Sequence, residues 1–408
     1  MIAQEDKKII RDLAKRVAEI AELPVMEERR RMWKQHNQLK RVRPMILVFP
    51  EGSWRELLPQ SVLQCQGEVA RGIEWELRRR IYQHEYIHDD SVIEKKWVVS
   101  KAITTTDWGL QPKHRPSSQN TGSWGFIPLI NDYSDLKKLR FPEVRYDEKE
   151  TLGRMEEAQD LFVNILDVQL KGIAHVSFHL MDIYCELRGL EQVMWDMYDN
   201  PGMLHEAMAF LEEGHRRLVQ QYMDLNLFSL NNDETYHSSG GVGYTDELPR
   251  SDYDPERIRP CDMWASAESQ EMAQVSPQQH YEFVMQYEKR LLEPFGLNGY
   301  GCCEDLTAKL DYVFTIPHIR RISISPFADV DKCAEKLGDK YIFSWKPKPS
   351  YLVGDFDADF IRGYIKHTLD VTKGCVIEMI LKDTHTCDNH PERFTQWTDI
   401  AQELVEEY

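Results

Sequence analysis

The sequence predicts an α/β fold, a (β/α)8 TIM barrel preceded by additional N-terminal helices. Three observations predict it. Strand-like and helical segments alternate without a break from residue 297 to the end. Strand followed by helix, many times over, means parallel pairing, because parallel neighbours need a long crossover connection. No Gly-x-Gly-x-x-Gly follows a strand, so the usual dinucleotide-binding sheet has no fingerprint here. The chain has 408 residues, 42% of them hydrophobic, which suits one barrel with additions and a sizeable core.

Residues 1–44 read as a helical extension and 45–408 as the barrel. The basic run "RRRMWKQHNQLKRVR" at 29–43 reads as a solvated helix face, or else as a docking face for an acidic partner. "MILVF" (45–49) and "WVVSKAI" (97–103) are the weaker strand candidates, "IAHVSF" (173–178) and "LFSL" (227–230) the next. Asn200-Pro201 has the form of an N-cap followed by proline at the first helical position. The helix after it, to about Met223, carries Leu204, Met208, Leu211, Leu218 and Tyr222 at helical spacing. Ser276-Pro277-Gln278-Gln279 is a capping box that starts a helix through Phe283, Tyr287 and Leu291. Then come strands at 297–301, 320–325, 341–345 and 375–381. Helices follow them after Asp305, at "DVDKCAEKL", at 357–372 and from Pro391.

Fifty Lys and Arg against 68 Asp and Glu give a net charge of −18. Such a chain is poorly suited to bind the phosphate backbone of a nucleic acid. No uninterrupted apolar run reaches the roughly 18 residues that a membrane span needs. The charged start "MIAQEDKKII" lacks the apolar core of a signal peptide, so a cytoplasmic location is expected. Eight cysteines in a long chain without such a signal are expected to stay reduced, buried or bound to metal.

Barrel chemistry sits at the C-terminal ends of the strands. Just past the expected strands stand His179, then Asp233, Glu234 and His237, then Cys302, Cys303 and Glu304. Ser325, Lys346, Lys382, His385 and Cys387 follow. Within "NGYGCCED" (298–305), strand alternation puts Asn298, Tyr300 and Cys302 on one face and Leu297, Gly299, Gly301 and Cys303 on the other. The glycine face suits packing against outer helices and the Asn/Tyr face suits the barrel interior or rim. Cys302 is then the functional thiol and Cys303 a packing residue. The segment "NNDETYHSSGGVGYTDELP" (231–249) carries Gly240, Gly241 and Gly243 and reads as a lid. It lacks the Gly-Lys-Ser/Thr of a phosphate loop. Asp233 and Glu234 are its candidate general acids or bases.

Four phrases make the chain recognisable: "RGLEQVMWDMYDNPGMLHEAM" (188–208), "VSPQQHYEFVMQYEKRLLEPFG" (275–296), "NGYGCCED" and "THTCDNHPERFTQW" (384–397). Over roughly residues 150–408 it resembles the uroporphyrinogen decarboxylase superfamily, which also holds zinc-dependent, corrinoid-linked methyltransferases. The decarboxylase branch is expected to carry paired arginines for the substrate's carboxylates, whereas "RPMILVFPEGSWRELLP" (43–59) keeps only Arg55. In the methyltransferase branch a His-x-Cys and a later Cys bind zinc. Cys302 and Cys387 match the two cysteines, and Tyr300 stands at the histidine position.

The resemblance implies a zinc-dependent methyltransferase moving a methyl group between a small methylated substrate and the cobalt of a corrinoid protein. An O-demethylase acting on aromatic methyl ethers is one form of it, with Trp54, Trp124, Trp264 and Trp345 as candidate aromatic contacts. The expected metal ligands are His237, Cys302 and Cys387, with Glu234, Glu304 and His385 as alternatives to His237 and Cys303 to Cys302. Tyr300, Trp345 and Lys346 are the expected substrate contacts, and Asp233 or Glu234 the proton donor. A homodimer is possible on this reading. The alternatives are a uroporphyrinogen-type decarboxylase and a non-catalytic ligand- or corrinoid-binding barrel.

Overall fold

The computed structural model describes residues 2–115 and 125–408; Trp124 lies outside them. Nine strands matter for the site: β1 (Met45–Val48), β2 (Lys96–Ser100), β3 (Asp167–Lys171), β4 (Ser177–Phe178), β5 (Trp264–Ala267), β6 (Leu297–Tyr300), β7 (Ile319–Ile324), β8 (Ile342–Trp345) and β9 (Val376–Leu381). Seven of them form one parallel sheet in the order β1-β9-β8-β7-β6-β5-β4. The first strand therefore pairs with the last, Met45 beside Glu378 through Val48 beside Leu381. Helices Val330–Leu337 and Ala358–Val371 supply the β7–β8 and β8–β9 crossovers, and Asp329 and Asp357 cap their N-termini.

Among the described residues the ring of hydrogen bonds does not close. At the free edge of β1, Asp90 accepts from Ile46 N (2.8 Å) and Asp89 from Val48 N (2.9 Å). Side-chain carboxylates thus satisfy donors that a neighbouring strand would otherwise take. Among the described residues the strands β2 and β3 pair only with each other. The expected strand at 227–230 is reduced to a single bridge, Ile173 beside Phe228. Asn231 substitutes for a ladder there, donating to Ala174 O (2.8 Å) and Trp264 O (2.9 Å) and accepting from Trp264 N (2.9 Å). The architecture is a seven-stranded parallel α/β sheet with additions, coarser than the closed barrel that the sequence predicts.

The N-terminal helices α1 (Gln4–Ala21) and α2 (Pro24–Asn37) do not stand apart. They share an apolar cluster with Leu47, Val242, Tyr244 and Ile380. The basic run is correspondingly less solvated than expected. Arg30 pairs with Glu94 (3.0 Å) and Arg29 donates to Ser91 O (2.9 Å). Trp33 is buried and donates to Asp90 O (2.9 Å). His36 reaches Glu378 on β9 (3.0 Å), and Asn37 accepts from Arg321 on β7 (2.7 Å). The acidic partner of this run is the chain itself. The Ser276 cap forms as expected, whereas Asn200 spends its side chain on Asp196 (3.3 Å).

Candidate thiol site at the strand ends

The chain leaves β6 at Tyr300 because Gly301 has φ +95°, a left-handed conformation that glycine adopts without strain. Strand alternation therefore stops before Cys302 and does not split the cysteine doublet. The two sulfurs lie 3.6 Å apart, both half-buried. The expected faces of β6 are also reversed. Asn298 donates outward to Leu292 O (3.0 Å) and Pro317 O (2.6 Å). Tyr300 is fully buried, donating to Glu288 (2.8 Å) beside His280 (3.1 Å). Gly299 faces inward, where a Cβ would come within 2.7 Å of Ser238.

The inward glycine is explained by the segment expected to be a lid. Residues 237–245 are buried and fill the interior of the sheet. A Cβ at Gly241 would lie 2.3 Å from the Arg321 guanidinium carbon, and one at Gly240 2.4 Å from Ile380. These glycines serve close approach, and the segment is a plug. It carries His237 onto the Trp264 ring (4.4 Å between centroids) and Ser239 to the strand ends.

Ser239 donates to Cys302 Sγ at 3.3 Å, and Lys382, at the end of β9, stands 4.0 Å from the same sulfur. The Cys303 hydrogen bond lowers the Cys302 pKa against the effect of burial, and Lys382 and Ser239 lower it further. The same contact with Cys302, together with burial, pushes the Cys303 thiol up. Cys302 is thus the favoured thiolate of the pair. Across the mouth, His179 Nδ1 donates to Glu268 Oε1 (2.9 Å) and His179 Nε2 meets Ser177 Oγ (2.7 Å). Burial opposes the charge on His179, but Glu268 outweighs it and raises its pKa. Glu304 is buried and accepts from Cys302 N (2.8 Å) and Ser269 N (3.2 Å), so it shapes the turn.

The other sequence-predicted residues fall elsewhere. Cys387 is fully buried against Glu56, with Sγ 3.0 Å from Oε2. Burial and that carboxylate push its thiol up to about 12. His237 is buried and held neutral by burial and by Arg321. His385 is exposed, and its carbonyl accepts from Arg55 (2.8 Å). His237, Cys302 and Cys387 thus keep separate partners. Among the described residues no three His, Cys, Asp or Glu side chains gather to hold an ion. The residues present do not fit a zinc ion held by that triad.

Asp233 is held down at about 2: burial opposes its charge, but Lys171 (2.5 Å) and Lys96 (3.0 Å) prevail. Glu234 also pairs with Lys96 (2.6 Å), while burial and the charge of Asp233 raise its pKa. Trp345 is fully buried and faces outward onto Tyr364 (5.1 Å between ring centroids). Tyr300 and Trp345 therefore pack the layer between sheet and helices. Lys346 is buried on Ser344 (2.7 Å to Oγ), and burial pushes its pKa down to about 7.

A cavity of about 410 Å³ opens beside the free edge of β1, between it and β2. Phe49, Trp54, Tyr236, Lys96, Glu234 and Glu51 are among its walls. Glu51 accepts from Asp383 N (3.0 Å), next to the Lys382 that approaches Cys302, so this wall of the cavity adjoins the thiol site. Glu268 and Ser239 are the partners that sequence reasoning missed. Glu268 follows a four-residue strand, "WASA", too short to stand out by pattern, and Ser239 is brought in by the plug.

A parallel α/β sheet carrying a thiol and a histidine at its strand ends is the class of molecule these features define. No protein-family model and no curated protein sequence matches the chain. Among solved structures it is similar to a methyltransferase from Methanosarcina mazei, with a TM-score of 0.50 and 10% sequence identity over 91% of this chain and 97% of that one. At that identity the likeness speaks for the fold.

Proposed function

We propose that the protein is a methyltransferase that moves a methyl group between a small methylated substrate and the cobalt of a corrinoid held by a partner protein, with Cys302 at the centre of the site. One observation carries the reading: a thiol favoured as thiolate lies where the strands end, beside Lys382 and an aromatic-walled cavity. The resemblance of four sequence stretches to the uroporphyrinogen decarboxylase superfamily supports it, and the fold likeness to a methyltransferase is consistent with it. The corrinoid supplies a strong cobalt nucleophile when bound. Because the expected zinc ligands do not assemble, no step here runs through zinc.

What the chain itself does follows from its side chains. Phe49, Trp54 and Tyr236 offer apolar rings to the flat body of an aromatic methyl ether. Among the described residues, the cations lining this cavity are all paired: Lys96 with Asp233 and Glu234, and Arg79 and Arg80 with Glu76. Arg55 is spent on a carbonyl as well. This favours methyl transfer over decarboxylation of a porphyrinogen. Cys302 and Lys382 set the charge at the strand ends where the methyl group is presented.

The test is methyl transfer from a panel of methoxybenzenes to cobalt(I) cobalamin, with the metal content of the protein measured alongside. Turnover that falls at least about 100-fold in Cys302→Ser is expected. Full turnover in that variant would remove Cys302 from the site.

A further inference from the structure

Methyl ethers need a proton on the departing oxygen, and the expected donors are occupied. Asp233 and Glu234 are bound to Lys96 and Lys171, and Glu304 is bound to two backbone N–H groups. Across the mouth stands a different set. Ser266 Oγ lies 2.9 Å from Ser177 Oγ, Ser177 Oγ 2.7 Å from His179 Nε2, and His179 Nδ1 2.9 Å from Glu268 Oε1. The Glu268 side chain is 9% exposed and its Oε2 has no partner, while His179 is 38% exposed. The imidazole is therefore anchored from the inside and open to the mouth. Glu304 accepts from both Cys302 N (2.8 Å) and Ser269 N (3.2 Å), the residue after Glu268, so the carboxylate that anchors His179 and the thiol turn are joined in one site.

We propose that Ser177, His179 and Glu268 form a proton relay that protonates the heteroatom from which the methyl group departs. The inference rests on the methyl-transfer reading. The C–O bond breaks with its electron pair left on oxygen. The methyl carbon takes a pair from the acceptor, a cobalt(I) corrinoid. The Nε2 proton of the His179 imidazolium passes to Ser177, whose own hydroxyl proton passes to the departing oxygen. The products are a phenol, the methylated acceptor and neutral His179, which a water proton recharges. Ser177 touches the leaving group and is the catalytic residue of the relay. Glu268 acts through His179 and is a positioning residue, holding Nδ1 as the donor so that Nε2 faces Ser177.

The experiment compares donors of graded leaving-group acidity, from methoxybenzene to 4-nitromethoxybenzene, in the wild type, His179→Gln, Ser177→Ala and Glu268→Gln. A departing nitrophenolate needs little protonation, so the series separates proton donation from structural damage. The relay predicts that His179→Gln and Ser177→Ala lose about 100-fold with methoxybenzene and less than about 3-fold with the nitro compound. Glu268→Gln shifts the alkaline limb of the rate–pH profile to lower pH, because the imidazolium loses its carboxylate. An equal loss across the series, with no shift of the profile, overturns the relay. If the wild type turns over none of the donors, the methyltransferase reading fails. The relay then stands or falls on a slowly exchanging Nδ1–H proton resonance of His179, present in the wild type and absent in Glu268→Ala; its absence from the wild type overturns it.

Discussion

The interior near α2 and the mouth at the strand ends hold charged groups in opposite ways. Near α2, Glu378 accepts from Arg321 Nε (2.9 Å) and Ser344, with His36 at 3.0 Å, and all four residues are at most 1% exposed. Arg321 also lies over the Trp264 ring (5.3 Å). Nothing there faces solvent. At the mouth, Cys302, Cys303 and His179 are only half-buried. The Cys302 sulfur is held at 3.3–4.0 Å by a serine, a neighbouring thiol and a lysine. The comparison teaches that buried charge in this fold is not by itself a mark of function. The enclosed network fixes the plug and α2 in place, and the looser groups are the ones left free to react.

The largest effect should come from breaking the enclosed network. Arg321→Met leaves Glu378 buried without its guanidinium, and a loss of about 3–5 kcal/mol is expected in urea unfolding. The same pair sets an acid limit. Burial alone would raise the Glu378 pKa, but Arg321 and His36 hold it well below the ordinary 4.5. Its folded pKa is depressed, so its contribution is complete above 4.5 and is lost as pH falls below that value. Wild-type stability measured from pH 6 downward should drop in this range, and in Glu378→Gln that part of the slope should vanish.

Gly241→Ala tests the plug. The new methyl meets a guanidinium that is itself held by Glu378 and Asn37, so a loss of about 1–3 kcal/mol in unfolding free energy is expected. A lid free to move would tolerate the methyl. The smallest change belongs to the mouth: Lys382→Met removes a cation beside Cys302 and disfavours its thiolate. Iodoacetamide labelling of Cys302 at pH 7 should slow by about 3- to 10-fold, with unfolding little changed.

Much of the fold was legible. Strands β6 to β9 and their helices follow from the uninterrupted alternation in the last hundred or so residues, where Asp329 and Asp357 cap two of the helices. The sequence was less informative about β4 and β5. These are two and four residues long, and Asn231 does in side-chain hydrogen bonds what a longer strand would do in its backbone. In the site, Cys302 was legible because a cysteine at a strand end is unusual. Its surroundings were not. The glycines of "NGYG" and "GGVG" looked like packing and flexibility, yet Gly299 makes room for Ser238 of the plug, and Gly240 and Gly241 let the plug itself lie against Ile380 and Arg321. The family pattern drew Cys387 toward Cys302, but Glu56, from a helix more than 300 residues earlier, claims its sulfur.

The central claim is that Cys302 works at the mouth without Cys387 as its partner. Methyl transfer from a methoxybenzene to cobalt(I) cobalamin by Cys302→Ser and by Cys387→Ser measures it most directly. The account predicts a loss of at least about 100-fold in the first variant and retention within about 3-fold in the second. Equal, severe losses in both would contradict it.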